Sequence, residues 1–244
     1  MKILLLPGLD GTGLLFRHLI EALPESLDLE AISFFDFPQS SYLEQAQRLA
    51  ELFSDRQIFL VAESYSGRIA YELCSLMSGK IKGVVLIASF ISPPSKVSRL
   101  AVPLCRYGIK PTRLNQWLAN MVGFNGYGSR RQVHETFFAL AKTQGEGLQE
   151  RARNIAQLDI PIIKHTVPTT YIRPSRDHLV NRGAVNIIDA LYCDLEIITL
   201  PGGHFIAQSK PAECARIIEL AALSALSMRK KLPGLYGDRR LEGL

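Results

Sequence analysis

Ser64 stands where an apolar run stops. The stretch QIFLVA (57–62) gives way to Glu63-Ser64-Tyr65-Ser66-Gly67, and apolar residues at helical spacing follow. A serine on a sharp strand-to-helix turn presents its hydroxyl above the C-terminal edge of a sheet, and only small residues fit its flanks. The usual pattern is G-x-S-x-G; here Ala62 and Ser66 take the places of the two glycines. Two serines capping a helix after a strand are the plainer alternative. Ser66 fills a small-residue place, which leaves Ser64 as the candidate nucleophile.

A hydroxyl is a weak nucleophile near neutral pH and needs a base beside it. On a turn of this kind the partners come later in the chain, an acid first and then a histidine, each after a strand. Asp177 follows the strand-like TTYIR in PSRDHLV, 113 residues after Ser64. His204 follows EIITL in PGGHF, 27 residues farther on. His178 is a rival base, set aside because side chains adjacent in sequence rarely face each other. Attack on an acyl group also requires donors for the developing oxyanion. The N–H of Tyr65, at a helix start, is one candidate. The N–H of Leu9, in the loop Pro7-Gly8-Leu9-Asp10-Gly11-Thr12-Gly13 after the first strand, is the other.

The same glycines raise a dinucleotide-binding alternative, with Asp36 after the second strand as a ribose ligand. Their spacing is G-x-x-G-x-G, not G-x-G-x-x-G, and no G-K-[ST] follows. Nucleotide binding would also leave Ser64, Asp177 and His204 unexplained.

The elements that must position these residues alternate. Short apolar runs predict strands at Ile3–Leu6, Glu30–Phe35, Gln57–Ala62, Ile81–Ala88, Thr169–Arg173 and Leu195–Leu200, all read as buried on both faces. Helical patterns fall at Leu14–Leu23, Tyr42–Ser54, Gly67–Ser78, Arg182–Tyr192 and Phe205–Ser227, the last with a helix start near Pro211. This is the signature of an α/β fold with a mostly parallel sheet of about six strands flanked by helices. The region 91–165 shows no strand pattern and is too long for a loop. It reads as a helical cap inserted before the penultimate strand, on a core of 1–90 and 166–228. Residues 229–244 read as a flexible basic tail.

The chain has 244 residues, 47% of them hydrophobic, enough for one sizeable core. No apolar run reaches the roughly 18 residues of a membrane span, so no transmembrane segment is expected. The opening MKILLLPG is too short for a signal-peptide core. Cys74, Cys105, Cys193 and Cys214 are far apart, with neither zinc nor disulfide spacing. They read as reduced thiols in or near the core of a cytoplasmic protein. Charge is uneven: 91–165 holds 11 basic and 4 acidic residues, a net +7, and the tail adds +3. Nothing interleaves that charge with aromatics on a nucleic-acid module, so nucleic acid is not an expected partner.

LLLPGLDGTG, LVAESYSG, VVLIASF, PSRDHLV and LPGGHF, in that order, resemble the α/β-hydrolase family over nearly the whole chain up to about Ser227. The first strand resembles the family's third, as in compact members. The PGLDGTG loop is similar to that of small uncharacterised bacterial hydrolases and of a hydrolase-like region in plastid phytyl ester synthases. The resemblance implies Ser64 as nucleophile, His204 as base and then acid, Asp177 orienting it, and neither metal nor organic cofactor. The implied activity is a serine carboxylic ester hydrolase acting on a small-molecule ester. The family's epoxide and haloalkane hydrolases use an aspartate where Ser64 stands. An acyltransferase or thioesterase with the same triad and a non-catalytic interaction protein on a hydrolase scaffold are the alternatives. The basic cap is a solvated helical surface on the plainer reading; on the sharper one it suits an acidic partner such as an acyl carrier protein, as in the similar pimeloyl-carrier-protein methyl ester esterases, or an anionic lipid head group. Leu100, Val102, Leu104, Trp117, Phe124, Phe137 and Phe138 are the cap's apolar residues: they pack the cap onto the core or, on the sharper reading, line an acyl pocket.

Overall fold

Apolar runs become six parallel strands: β1 (Lys2–Leu6), β2 (Leu29–Ala31), β3 (Ile58–Glu63), β4 (Ile81–Ile87), β5 (Thr169–Pro174) and β6 (Leu195–Leu200). They form one sheet in the order β2-β1-β3-β4-β5-β6. The computed structural model describes residues 1–37, 40–95, 111–143 and 146–228. The helices among them are α1 (Arg17–Ala22), α2 (Tyr42–Leu52), α3 (Gly67–Leu76), α4 (Arg113–Gly123), α5 (Arg130–Lys142), α6 (Glu146–Ala156), α7 (Arg182–Leu191), α8 (Ile206–Ser209) and α9 (Pro211–Met228). None is long and apolar enough to cross a membrane.

Side chains alternate across the sheet, as the two-residue period of a strand demands. Leu4, Leu6, Leu60, Ala62 and Leu86 face one side, where Leu49 of α2, Ile69 and Leu73 of α3 and Ile188 of α7 cover them. Ile3, Leu5, Phe59, Val61, Val85 and Ile87 face the other, under Leu19 of α1 and Cys214, Ile218 and Ala222 of α9. Register aligns the strand ends: Leu6 pairs with Ala62, Glu63 with Ile87 and Pro174 with Leu200. Loops after β1, β3, β5 and β6 therefore meet at one sheet edge, where ligands bind in open α/β folds.

The expected elements recur with four differences. β2 ends at Ala31, because the Ser33 hydroxyl caps a 3-10 turn at Phe34–Asp36 and takes the chain out of the sheet. The segment Leu14–Leu23 starts as a 3-10 turn after Gly13, whose φ is 71°, and is α-helical only from Arg17. Within Phe205–Ser227 the helix starts at Pro211 as expected, but a separate short helix, Ile206–Ser209, precedes it, since proline disfavours the helical conformation in the residue before it and lacks an N–H. Burial on both faces does not extend to the sheet's edges: Glu196, Ile197 and Thr199 of β6 are exposed.

Between β4 and β5 the chain forms α4, α5 and α6, opened by hydroxyl caps at Thr112 for α4 and Ser129 for α5. Among the described residues, a bridge from His165 to Tyr192 is the one strand-like pairing in a region read as having none. Cys74 and Cys214 are buried free thiols, but Cys193 is exposed, against the expectation for it. Leu100, Val102, Leu104, Cys105 and the tail 229–244 lie outside the described residues.

Candidate active site

β3 runs fully buried to Glu63, and the chain then turns through Ser64 at φ 47° into a 3-10 turn, Ser64–Ser66, and α3. A left-handed conformation in a residue with a Cβ costs about 1–3 kcal/mol and persists only where the surroundings hold it. Three contacts do so here. The Ser89 hydroxyl donates to the Ser64 carbonyl at 2.7 Å, and the Ser66 hydroxyl donates to the Pro7 carbonyl. At Gly67 a Cβ would lie 2.2 Å from Ser89 Oγ and 2.6 Å from the Phe90 carbonyl, so only glycine lets α3 start against the loop after β4. Ser66 thus does more than fill a small-residue place: it ties the turn to the loop after β1.

The Tyr65 ring stacks on Tyr42 at 4.5 Å. Its hydroxyl accepts from Gln45 Nε2 at 3.2 Å and Asn154 Nδ2 at 3.0 Å. Asn154 lies on α6, so the insertion between β4 and β5 is fastened to the serine turn. The loop after β1 passes beside Ser64: a Cβ on Gly8 would stand 3.7 Å from the Ser64 Cβ. Buried Asp10 accepts from the Thr12 N–H at 2.9 Å and from the Thr12 hydroxyl. Arg151 of α6 donates to the Leu9 carbonyl at 2.7 Å and to the Asp10 carbonyl at 3.1 Å, and Thr143, at the C-terminal end of α5, donates to the same Asp10 carbonyl at 2.7 Å.

His204 is carried by a Pro201-Gly202-Gly203 turn at the end of β6. A Cβ on Gly203 would lie 2.5 Å from the Gly123 carbonyl, so glycine is required where α4 ends against this turn. His204 Nδ1 is 2.8 Å from Asp177 Oδ2, and Nε2 is 2.8 Å from Ser64 Oγ. With a proton on Nδ1 directed to the carboxylate, Nε2 is left to accept from the serine hydroxyl. The other oxygen of Asp177 accepts from the N–H groups of Leu179 and Val180 at 2.8 and 3.0 Å. His178 is exposed and takes no part.

Burial pushes the Asp177 carboxyl up, but the charge and hydrogen bond of His204 and the two backbone N–H groups outweigh it and hold it below 3.8. Burial pushes His204 down, and the charge and hydrogen bond of Asp177, with a smaller contribution from Glu63, carry it above 6.5. Glu63 is itself buried. Its Oε1 accepts from Gln208 Nε2 at 2.9 Å, and its Oε2 has no hydrogen-bond partner among the described residues. Desolvation raises it to about 7, the Gln208 bond opposing and Asp10 adding to the rise.

The structure thus brings Ser64, Asp177 and His204 into one hydrogen-bonded line, with Tyr65 next in the turn and the loop of Leu9 passing the serine at Gly8. The apolar lining expected from the insertion is only partly inward. Phe124 and Phe137 are buried with Val133, whereas Trp117 and Phe138 are exposed. Arg151, Asn154 and Gln208 were not legible as site residues, since each bonds to groups more than 80 residues away in sequence.

This architecture defines an α/β-hydrolase. The chain belongs to the alpha/beta hydrolase family, whose model matches residues 3–217. Among solved structures it is similar to an esterase from Thermogutta terrifontis, at 13% identity over 92% of this chain and 90% of that one, with a TM-score of 0.75. It is also similar to an esterase from Exiguobacterium antarcticum (12% identity, 93% and 92% covered, TM-score 0.71). A hydrolase from Oleispira antarctica matches at 10% identity over 89% of this chain and 90% of that one, with a TM-score of 0.72. Among curated proteins no sequence matches.

Proposed function

We propose that the protein is a serine hydrolase that cleaves a carboxylic ester through an acyl-enzyme on Ser64. The observation that carries this reading is His204, held 2.8 Å from Ser64 Oγ on one side and 2.8 Å from Asp177 on the other. His204 takes the hydroxyl proton as Ser64 attacks the acyl carbonyl, and Asp177 stabilises the imidazolium that forms. The alcohol leaves with that proton, and water then releases the acid by the same route. The N–H groups of Leu9 and Tyr65 serve as oxyanion donors, each worth roughly 3 kcal/mol in the transition state. Two structural neighbours bear the name esterase, which favours ester over other acyl chemistry.

Residues 91–165 act as a cap over this edge, a role supported by the bonds of Arg151 and Asn154 to the loop after β1 and to Tyr65. The substrate is a small-molecule ester, and the working compartment is the cytoplasm. An acidic carrier protein rests on charge alone, and Arg151, one of the basic residues behind it, is buried on the β1 loop.

Labelling with a fluorophosphonate and mass mapping tests the nucleophile. The expected adduct is on Ser64; folded protein that takes no label would overturn the reading.

The pH profile carries a second expectation. Only neutral His204 can accept the proton, so kcat/KM on a p-nitrophenyl ester rises with pH through a midpoint above 6.5. Glu63 adds to that elevation, so Glu63→Gln moves the acid limb to lower pH. A limb that stays in place in the variant would uncouple Glu63 from the base.

A further inference from the structure

Helix α4 is built inside out. Leu114, Trp117, Leu118, Met121 and Val122 recur at i, i+3, i+4, i+7 and i+8, the stripe that normally packs on a core. Here that stripe faces outward, with Leu114 64% and Trp117 59% exposed. The side turned toward the protein carries Asn115, Gln116, Ala119 and Asn120, all half-buried, and buried Gly123. A contiguous apolar face left in water marks an interaction site.

The sequence around it is one-sided in charge. Between Glu72 and Glu135 the sequence has nine Lys and Arg residues and no Asp or Glu. Arg113 opens α4 and Arg130 opens α5; both are exposed and neither makes an ion pair among the described residues. An apolar stripe that includes tryptophan, with the exposed cations Arg113 and Arg130 at the helix starts beside it, suits an anionic membrane interface. A protein partner would call for directional hydrogen bonds across its interface. The stripe offers one side-chain donor, the Trp117 indole N–H, and no acceptor apart from the thioether of Met121.

We propose that this face of α4 docks on an anionic phospholipid surface. The stripe enters the acyl boundary, and Arg113 and Arg130 meet the head-group charge. The C-terminal end of α4 rests on the turn that carries His204: Phe205 N–H donates to the Gly123 carbonyl at 2.9 Å, and the Phe124 and Phe205 rings are 4.9 Å apart. Docking therefore sets that turn beside the leaflet. The proposal concerns binding and stands without the hydrolase reading.

Trp117 is the sole tryptophan, so its emission reports on this face directly. The full chain is mixed with vesicles of phosphatidylcholine alone, and with vesicles that also contain phosphatidylglycerol. A blue shift with the mixed vesicles only, reversed by salt, is expected. Leu118→Glu should abolish it, and Arg113→Gln with Arg130→Gln should weaken binding by about thirtyfold. These side chains are exposed, so the variants should fold, which circular dichroism checks. No shift would overturn the proposal. So would sedimentation with vesicles without a Trp117 shift, which would assign lipid binding to another basic segment. A shift that grows with protein concentration in the absence of vesicles would also overturn it and make a second copy of the chain the occupant.

Discussion

Ser64→Ala lowers ester turnover by about 10⁴- to 10⁶-fold while the fold survives. The hydroxyl is the only group removed. Ser64 keeps its φ of 47° because the Ser89 hydroxyl still holds its carbonyl and Gly67 still seats α3. What is lost in the ground state is one hydrogen bond to His204, worth about 1 kcal/mol net. The thermal midpoint therefore moves by no more than about 3 °C. Turnover and a melting curve on the same preparation make the check. Retained turnover would remove Ser64 from the mechanism; a large fall in the midpoint would mean that the hydroxyl is structural. On the proposed mechanism the three residues act as a unit, so adding His204→Ala to Ser64→Ala should cost little more.

Asp177→Asn carries the second largest effect, a loss of about 10⁴-fold in kcat. The reason is the tautomer. Asparagine retains an oxygen for the N–H groups of Leu179 and Val180, so the loop after β5 keeps its shape. Toward His204 it presents an amide donor where a carboxylate accepted. The imidazole must then protonate on Nε2, and the nitrogen facing Ser64 can no longer take a proton. Single-turnover rates of wild type and variant test this; equal rates would send the search for the acid elsewhere.

The same substitution has a stability signature. The Asp177 carboxyl lies below 3.8 in the folded state, so the stability it confers is fully present above 3.8 and is lost as pH falls through the folded value. His204 has the opposite sign: raised above 6.5, it confers stability below 6.5 that is lost as pH rises through its folded value. Any stability advantage of wild type over Asp177→Asn that comes from this ionisation should fade in acid.

Much of the fold was written in local pattern. β1, β3, β4 and β5 read as near-continuous apolar runs because helices cover both faces of the sheet, and their ends were legible to within a residue or two. Of the two edge strands, β6 was read with its observed bounds and β2 was harder. β2 was overextended because Phe34 and Phe35 continue its apolar run, and the cap from Ser33 that ends the strand is a side-chain event that composition does not display. The site followed the same division. Chain order and strand ends pointed to Ser64, Asp177 and His204, since a serine at a strand tip needs an acid and a base delivered by later strands to the same edge.

Long-range contact decided the rest. Nothing local separates Arg151 from the other cations of its segment, yet it alone among them is seen holding the Leu9 and Asp10 carbonyls, 142 and 141 residues away. Glu63 reads as the variable position of a serine turn until Gln208, 145 residues on, is found hydrogen-bonded to its buried carboxyl. The stripe on α4 reads as core by its period, because periodicity reports that a helix has two faces and not which one meets the protein. The sequence by itself therefore determined the order of elements and the residues at the strand ends. Only the tertiary structure decided which charges are buried, which carboxyl goes half-unpaired and which face of α4 turns to solvent, because those depend on neighbours that the chain brings in from far away.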